Sequence, residues 1–295
     1  MSKTSGAESR LAPQTARSSA DPAMEELKKE DDVLAAPRKS DRRTRTIVSL
    51  GSVVAMLIVW ELIARYAIHD VAILPAPSAV FGVFVEHLWN EYPAQSLTLP
   101  EHLLISFIRI LVGFVAGSIV GIAIGAAMST NRYIQYAVDP IIEMLRPLPP
   151  LAFIPLFVVW FGINEPPKLM LIFIGVVPVM IIATLSGLEG VPKQMLDAAA
   201  SLGASRNYAL VHVKIRAALA SIVTGMRVAV GVSWTSIVAA EMIAADRGVG
   251  YVILEAGNYL DTAMVFSSII LIGAAGLLMD RALRILLRKL DPAYQ

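Results

Sequence analysis

Six charged side chains lie inside or beside long apolar runs: Glu61, Arg109, Glu143, Arg146, Arg227 and Glu241. A charge at hydrocarbon depth is costly unless it is paired or wetted, so each must face a bundle interior or an aqueous path. Arg227 lies near the middle of the run 217–240, which also carries Thr224, Ser233, Thr235 and Ser236. This is the most polar of the runs and the best placed to line a path. Arg227 is then either a path residue or one half of a structural pair, for instance with Glu143 or Glu241. The candidate path residues are Arg109, Glu143, Arg146, Arg227, Trp234, Ser236 and Glu241. Arg109, Arg146 and Arg227 belong to three different runs, and fixed positive charge there lowers the cost of an anion and raises that of a cation.

Catalytic chemistry finds little to work with. The four histidines, His69, His87, His102 and His212, form no H-E-x-x-H pattern, and neither G-x-S-x-G nor a P-loop occurs. An intramembrane hydrolase or transferase needs a nucleophile and a base within reach of each other. Single histidines read instead as interfacial packing residues. The absence of cysteine removes disulfides, thiolate metal sites, iron–sulfur clusters and cysteine nucleophiles together. The expectation is a chain that is not an enzyme and holds no metal or cofactor of its own.

Two further patterns bear on packing and partners. Gly113, Gly117, Gly121 and Gly125 recur at i+4 steps and form one helical stripe that lets a second backbone approach closely. It reads as a helix-packing seam before it reads as a pore lining. The segment Ser186 to Arg216 reads as helix–Gly–helix. Gly190 can end one helix and Pro192 can open the next, which runs to Leu202. Gly203 supplies a left-handed cap, and Ser205 can N-cap a further helix from Arg206. The exposed ridge of this elbow is Asp197, Ala198, Ala199 and Ala200, a surface into which a partner's groove can close.

The elements that must position these residues follow from composition. Of 295 residues, 56% are hydrophobic and 17% charged, and 18 of the 49 charged residues fall in the first 46. The remainder has too little polar surface to coat a soluble globule. Net charge is +1, so no global field favours nucleic acid. Residues 1–46 read as a disordered tail, with one short helix at 22–35 capped by Asp21 and Pro22 and a basic cluster of Arg38, Lys39, Arg42, Arg43 and Arg45. No apolar signal region occurs in the first 30 residues, so the first span acts as signal and anchor.

Six spans are expected, at 47–67, 104–128, 145–163, 169–187, 217–240 and 263–281. The third contains Pro147, Pro149, Pro150 and Pro155, and the fourth contains Pro178. Basic residues cluster beside the first span, in 188–216 and at the C-terminus, while 68–103 has none. The positive-inside bias then puts both termini in the cytoplasm. Residues 77–90 read as an amphipathic helix on the outer surface. The fold class is an all-α membrane protein: a polytopic bundle of about six helices over 47–295, with a cytoplasmic helix-turn-helix at 188–216.

At that loop the chain resembles a known family. The string D-A-A-A-S-L-G-A-S, Asp197 to Ser205, is similar to the EAA loop of binding-protein-dependent ABC importer permeases. The resemblance implies that Asp197, Ala198, Ala199, Ala200, Gly203, Ala204 and Ser205 dock into an ATPase subunit. The family pattern continues with I-x-L-P, whereas this chain has Val213, Lys214, Ile215 and Arg216. Without that proline the second elbow helix can run unbroken into the fifth span. Leu145–Ile163, Thr224–Trp234 and Val238–Tyr251 resemble the nitrate/sulfonate/taurine branch, closer to taurine and alkanesulfonate members. The resemblance implies a type I importer permease fold in the bacterial inner membrane and a homodimer with its path on the two-fold axis. It implies two ATP-binding subunits that carry the ATP and Mg chemistry, and an external or periplasmic solute-binding protein. Nitrate or bicarbonate is the alternative cargo. A secondary transporter is the rival class, although no internal repeat of the kind such proteins often carry is found.

Overall fold

The computed structural model describes residues 39–68 and 70–290. The expected helix at 22–35, the rest of the tail to residue 38, His69 and residues 291–295 lie outside the described residues. The chain divides after Val59, and the two units, Met1–Val59 and Trp60–Gln295, are taken separately. The described part of the first is residues 39–59 of helix α1, Lys39–Leu62, whose last turn and the π turn that follows it, Ile63–Ala67, belong to the second. Helix begins eight residues before the apolar run, because Lys and Arg are good helix formers and an established helix propagates readily.

In the second unit, α2 is Pro77–Glu86, α3 Leu99–Thr130, α4 Arg132–Leu145 and α5 Ile154–Phe161. Helices α6, Glu165–Glu189, α7, Lys193–Ser201, and α8, Arg206–Ala209, follow. The rest is α9, Ile215–Ala244, α10, Val249–Asn258, and α11, Thr262–Leu290. No strand occurs among the described residues, only an isolated bridge between Glu91 and Thr98. Five helices are long and apolar enough to cross a membrane, and six if one bent pair counts as a span.

That pair corrects the third expected span. No single helix covers 145–163; Arg132–Leu145 and Pro150–Phe161 meet at 92°. Proline removes a backbone donor and clashes with the preceding turn, and here Pro147, Pro149 and Pro150 stop the helix at Leu145. Pro155 falls in the first turn of α5, where proline is tolerated. Pro178 sits inside α6 without ending it.

Helix α6 lies between α3 and α9, and small residues make both contacts close. A Cβ at Gly113, Gly117 or Gly125 would come within 2.9 Å of Ile172, Val176 or Thr184 respectively, and one at Gly121 within 2.5 Å of Met180. The glycine stripe is therefore a packing seam and not a pore lining. On the other side of α6, Gly175 faces Val232 and Gly187 faces Ser221. Ile110, Ile172, Val176, Met180 and Ile237 form the buried core between the three helices.

The expected surface helix is shorter than 77–90 and ends at Glu86. Its Val80 is buried, and Val83 and Phe84 pack on the Leu99–Val252–Ala256–Met264 cluster. This part of its apolar face is taken up by protein, while Phe81 and Trp89 stay exposed.

Candidate functional site

Three polar regions punctuate the bundle. The first lies where α3 and α6 begin and α9 ends. Arg109, one side of its guanidinium facing each way, bridges two carboxylates. Nε donates to Glu165 Oε2 at 2.7 Å and Nη2 to Glu165 Oε1 at 2.5 Å. Nη1 donates to Glu241 Oε1 and to the Arg247 carbonyl, each at 2.8 Å. Bidentate pairing of this kind fixes geometry as well as charge. Lys168 Nζ donates to Glu165 at 3.1 Å.

Glu241 is wholly buried. It accepts from Arg109, from Gly250 N at 3.0 Å and from Ser106, whose Oγ lies 2.9 Å from both carboxylate oxygens. Ser106 Oγ in turn accepts from Val249 N, and His102 Nδ1 accepts from Gly248 N, each at 3.0 Å. His102 then uses Nε2 as the donor to the Tyr92 carbonyl at 3.0 Å. Helix α3 thus clamps the turn 245–250 onto the end of α9. Gly248 has φ +114, and a Cβ there would strike the Glu241 carboxyl group. This explains the glycines in E-M-I-A-A-D-R-G-V-G: they let the backbone close over a buried carboxylate. A cavity of about 910 Å³ opens beside this cluster, with Arg109, Asn164, Glu165, Lys168, Asp246 and Arg247 in its wall.

The second region is a cavity of about 560 Å³ at the α4–α5 break, between α6 and α9. Arg146 is the one charged residue of its wall, beside Ser186, Ser221 and Thr224. No ion pair joins Arg146 or Glu143 to another described residue, and both are exposed. Thr224, Val228, Gly231 and Thr235 make an exposed stripe at helical spacing along α9. Arg227 lies to one side of that stripe, its Nε 2.8 Å from Asp280 of α11; Asp280 also accepts from Arg284 at 2.5 Å.

The seven path candidates therefore do not form one group. Arg109 and Glu241 share the first cluster, and Arg146 lines the second cavity. Arg227 pairs with Asp280 instead of Glu143 or Glu241. Trp234 and Ser236 are buried within the bundle, Trp234 against Gly276 and Ser236 against Gly175. Sequence reasoning missed Glu165, Lys168 as a partner, and Asp280. The available signals were modest: Asn164 to Lys168 holds one acid and one base three residues apart, and Asp280 is the one acid in its apolar run.

The third region is the elbow at the far end of α9. Pro192 precedes α7, and Gly203 has φ +81. Gly203 N donates to Ala200 O at 2.9 Å and Ala204 N to Ala199 O at 3.0 Å, the bonds of a left-handed helix cap. Ser205 Oγ accepts from Tyr208 N at 3.3 Å. Asp197, Ala198, Ala200 and Ser205 are exposed, Ala199 and Ala204 half-buried, and Leu202 is 89% exposed. Where the family proline is missing, helix runs on from Arg206 to Ala244 through a π segment, Leu210–Lys214.

Comparison with known proteins places this arrangement. Residues 113–292 match the family described as binding-protein-dependent transport system inner membrane component. The chain is 37% identical over 245 residues to the taurine transport system permease protein TauC of Escherichia coli (strain K12), covering 83% of this chain and 89% of that one. It is 30% identical over 247 residues to the nitrate import permease protein NrtB of Synechocystis sp. (strain ATCC 27184 / PCC 6803 / Kazusa), covering 83% and 89%. Among solved structures, an inward-facing form of the MetNI methionine ABC transporter superposes with a TM-score of 0.53 at 18% identity, over 72% of this chain and 98% of that one. The last shows the fold alone, that of a type I ABC importer permease. With broken helices, a capped elbow and these relatives, the chain belongs to the binding-protein-dependent inner membrane components, on the branch of taurine, sulfonate and nitrate permeases.

Proposed function

We propose that this chain is the translocating subunit of an ATP-driven importer for a small organosulfonate, with taurine the best single substrate. The observation that carries the substrate class is the 37% identity to a taurine permease over most of both chains. The second cavity is compatible with it: Arg146 stands as the sole charge in a largely apolar wall, which favours an anion and disfavours a cation. One unopposed cation holds its anion loosely, as a passage site must.

Two copies of the chain, with the Thr224–Val228–Gly231–Thr235 stripes facing each other across a two-fold axis, would enclose the path. Asp197 to Ser205 would dock into two cytoplasmic ATPase subunits, which carry ATP and Mg, and an external binding protein would deliver the cargo. Both termini then lie in the cytoplasm, and Arg109 and Glu241 lie at the outer mouth. ATP-driven closure draws the two elbows together and opens the bundle outward; hydrolysis resets it.

The test is ATPase activity of the reconstituted complex with its binding protein, titrated with taurine, methanesulfonate, nitrate and bicarbonate. Taurine or methanesulfonate should stimulate at the lowest concentration. Stimulation by nitrate or bicarbonate alone rejects the sulfonate while leaving the importer, and the 30% identity to a nitrate permease makes that the second reading. Uptake that needs no ATPase subunit rejects the importer itself.

A further inference from the structure

The two carboxylates on Arg109 are unlike. Glu241 is saturated by Ser106, Gly250 and Arg109 with no solvent contact. Glu165 holds the other edge of the guanidinium and Lys168 Nζ as well, yet its own side chain is 54% exposed, while those of the two cations are 6% and 3% exposed. A carboxylate that bridges two buried cations from the solvent side stands where an incoming anion would stand. The large cavity opens against these same three side chains.

We propose that Arg109 and Lys168 form an oxyanion site facing this cavity, with the Glu165 carboxylate as its built-in occupant, displaced when a small monovalent oxyanion arrives. The inference rests on reading the chain as an anion importer and adds an entry site distinct from the Arg146 cavity.

The parts differ in how freely they can move. Glu165 lies in the first turn of α6, followed by Pro166 and Pro167, so its backbone is fixed while its side chain can swing into the cavity. Arg109 cannot follow, because Glu241 and the Arg247 carbonyl keep their hold on Nη1. With Glu165 withdrawn, Arg109, Lys168 and Glu241 sum to one positive charge, and Asp246 and Arg247 of the same wall, 3.8 Å apart, cancel each other. A monovalent sulfonate or nitrate balances that charge, and a divalent sulfate overshoots it. Glu165 is also a tethered competitor, present at an effective concentration on the order of millimolar or more, so free anions bind weakly in its presence.

The test uses the purified full-length permease in lipid nanodiscs, with methanesulfonate as probe and thermal midpoint as readout at constant ionic strength. In Glu165→Gln the midpoint should rise with methanesulfonate at concentrations at least tenfold below those needed by the wild type. Sulfate should act more weakly, and adding Lys168→Met should remove the response. An equal response in Glu165→Gln and wild type overturns the site, as does a response that survives Lys168→Met. If Glu165→Gln does not fold, Glu165→Asp, whose shorter arm grips less well, is read the same way: greater sensitivity than wild type supports the site and equal sensitivity overturns it. Uptake by the assembled complex separates the two readings. Uptake without the nanodisc response removes the site and leaves the importer; the response without any uptake does the reverse.

Discussion

Arg109 and Arg227 both project from membrane-spanning helices and both meet carboxylates, but they are held in different ways. Arg109 is 6% exposed and reaches Glu165, Glu241 and the Arg247 carbonyl, on segments far apart in the chain. Arg227 is 37% exposed and donates Nε to Asp280, which is itself one-quarter exposed and shared with Arg284. The first arrangement is closed on its Glu241 side, where the buried carboxylate has its counter-charge and glycine backbone packs over it, and reaches solvent only through Glu165. The second is open, so water or a neighbour can replace a lost partner. A buried ion pair adds little net stability over an apolar one, yet removing one partner alone is severe, because the other charge stays behind uncompensated. Exposed pairs behave otherwise, and most are worth about 1 kcal/mol or less.

The largest expected effect therefore belongs to Arg109→Leu. It strands Glu241, buried and with its main counter-ion gone, and should cost about 3–5 kcal/mol. Yield of monodisperse protein and thermal midpoint in detergent measure this. The double variant Arg109→Leu/Glu241→Leu should recover part of the loss, since it removes the stranded charge along with its cause. A single variant as stable as wild type would mean that the cluster does not hold α3, α9 and the 245–250 turn together.

This contrast marks where the sequence was legible. Five of the six spans, the glycine seam and the elbow are local patterns, written in i+4 spacing, apolar length and cap residues, and the described structure follows them closely. The elbow is the clearest case, since Pro192, Gly203 and Ser205 each specify a backbone conformation by themselves. The proline-rich third span was less legible, because prolines tell where a helix stops and not the angle at which the next begins. Charge partners were not legible at all. Arg109 and Glu241 were both visible as costly residues, yet 132 positions separate them, and nothing local says that two helices bring them within 2.8 Å. Glu165 escaped attention for the opposite reason: in a short polar turn a carboxylate looks like an ordinary solvated charge.

Arg227→Leu should do much less to the folded chain, about 1 kcal/mol or below. Asp280 keeps Arg284 at 2.5 Å and its access to water, so no buried charge is stranded. The same detergent melting series reads the difference, with Arg227→Leu expected well above Arg109→Leu. Equal losses in the two variants would show that the half-open pair is as structural as the closed one, and the distinction between them would fall.

The smallest expected effect on the folded chain comes from the opposite end, at Ala199. It lies on α7 between exposed Ala198 and Ala200, four residues before the left-handed turn at Gly203. Arginine is nearly as good a helix former as alanine, and a half-buried surface position leaves its side chain free to reach solvent. Ala199→Arg should therefore melt within a fraction of a degree of wild type. A docking partner senses it quite differently. A ridge of methyl groups can enter a groove, whereas a long cation on that ridge holds the surfaces apart and carries a desolvation cost into the contact. Co-purification of the ATPase subunit and uptake should then both be lost while the permease remains folded. That outcome would set the two ends of the bundle apart: one end whose polar groups are satisfied within the chain, and one whose exposed alanines and Leu202 are completed by another protein. Retention of both pull-down and uptake in Ala199→Arg would remove the elbow from the coupling mechanism, whatever its likeness in sequence.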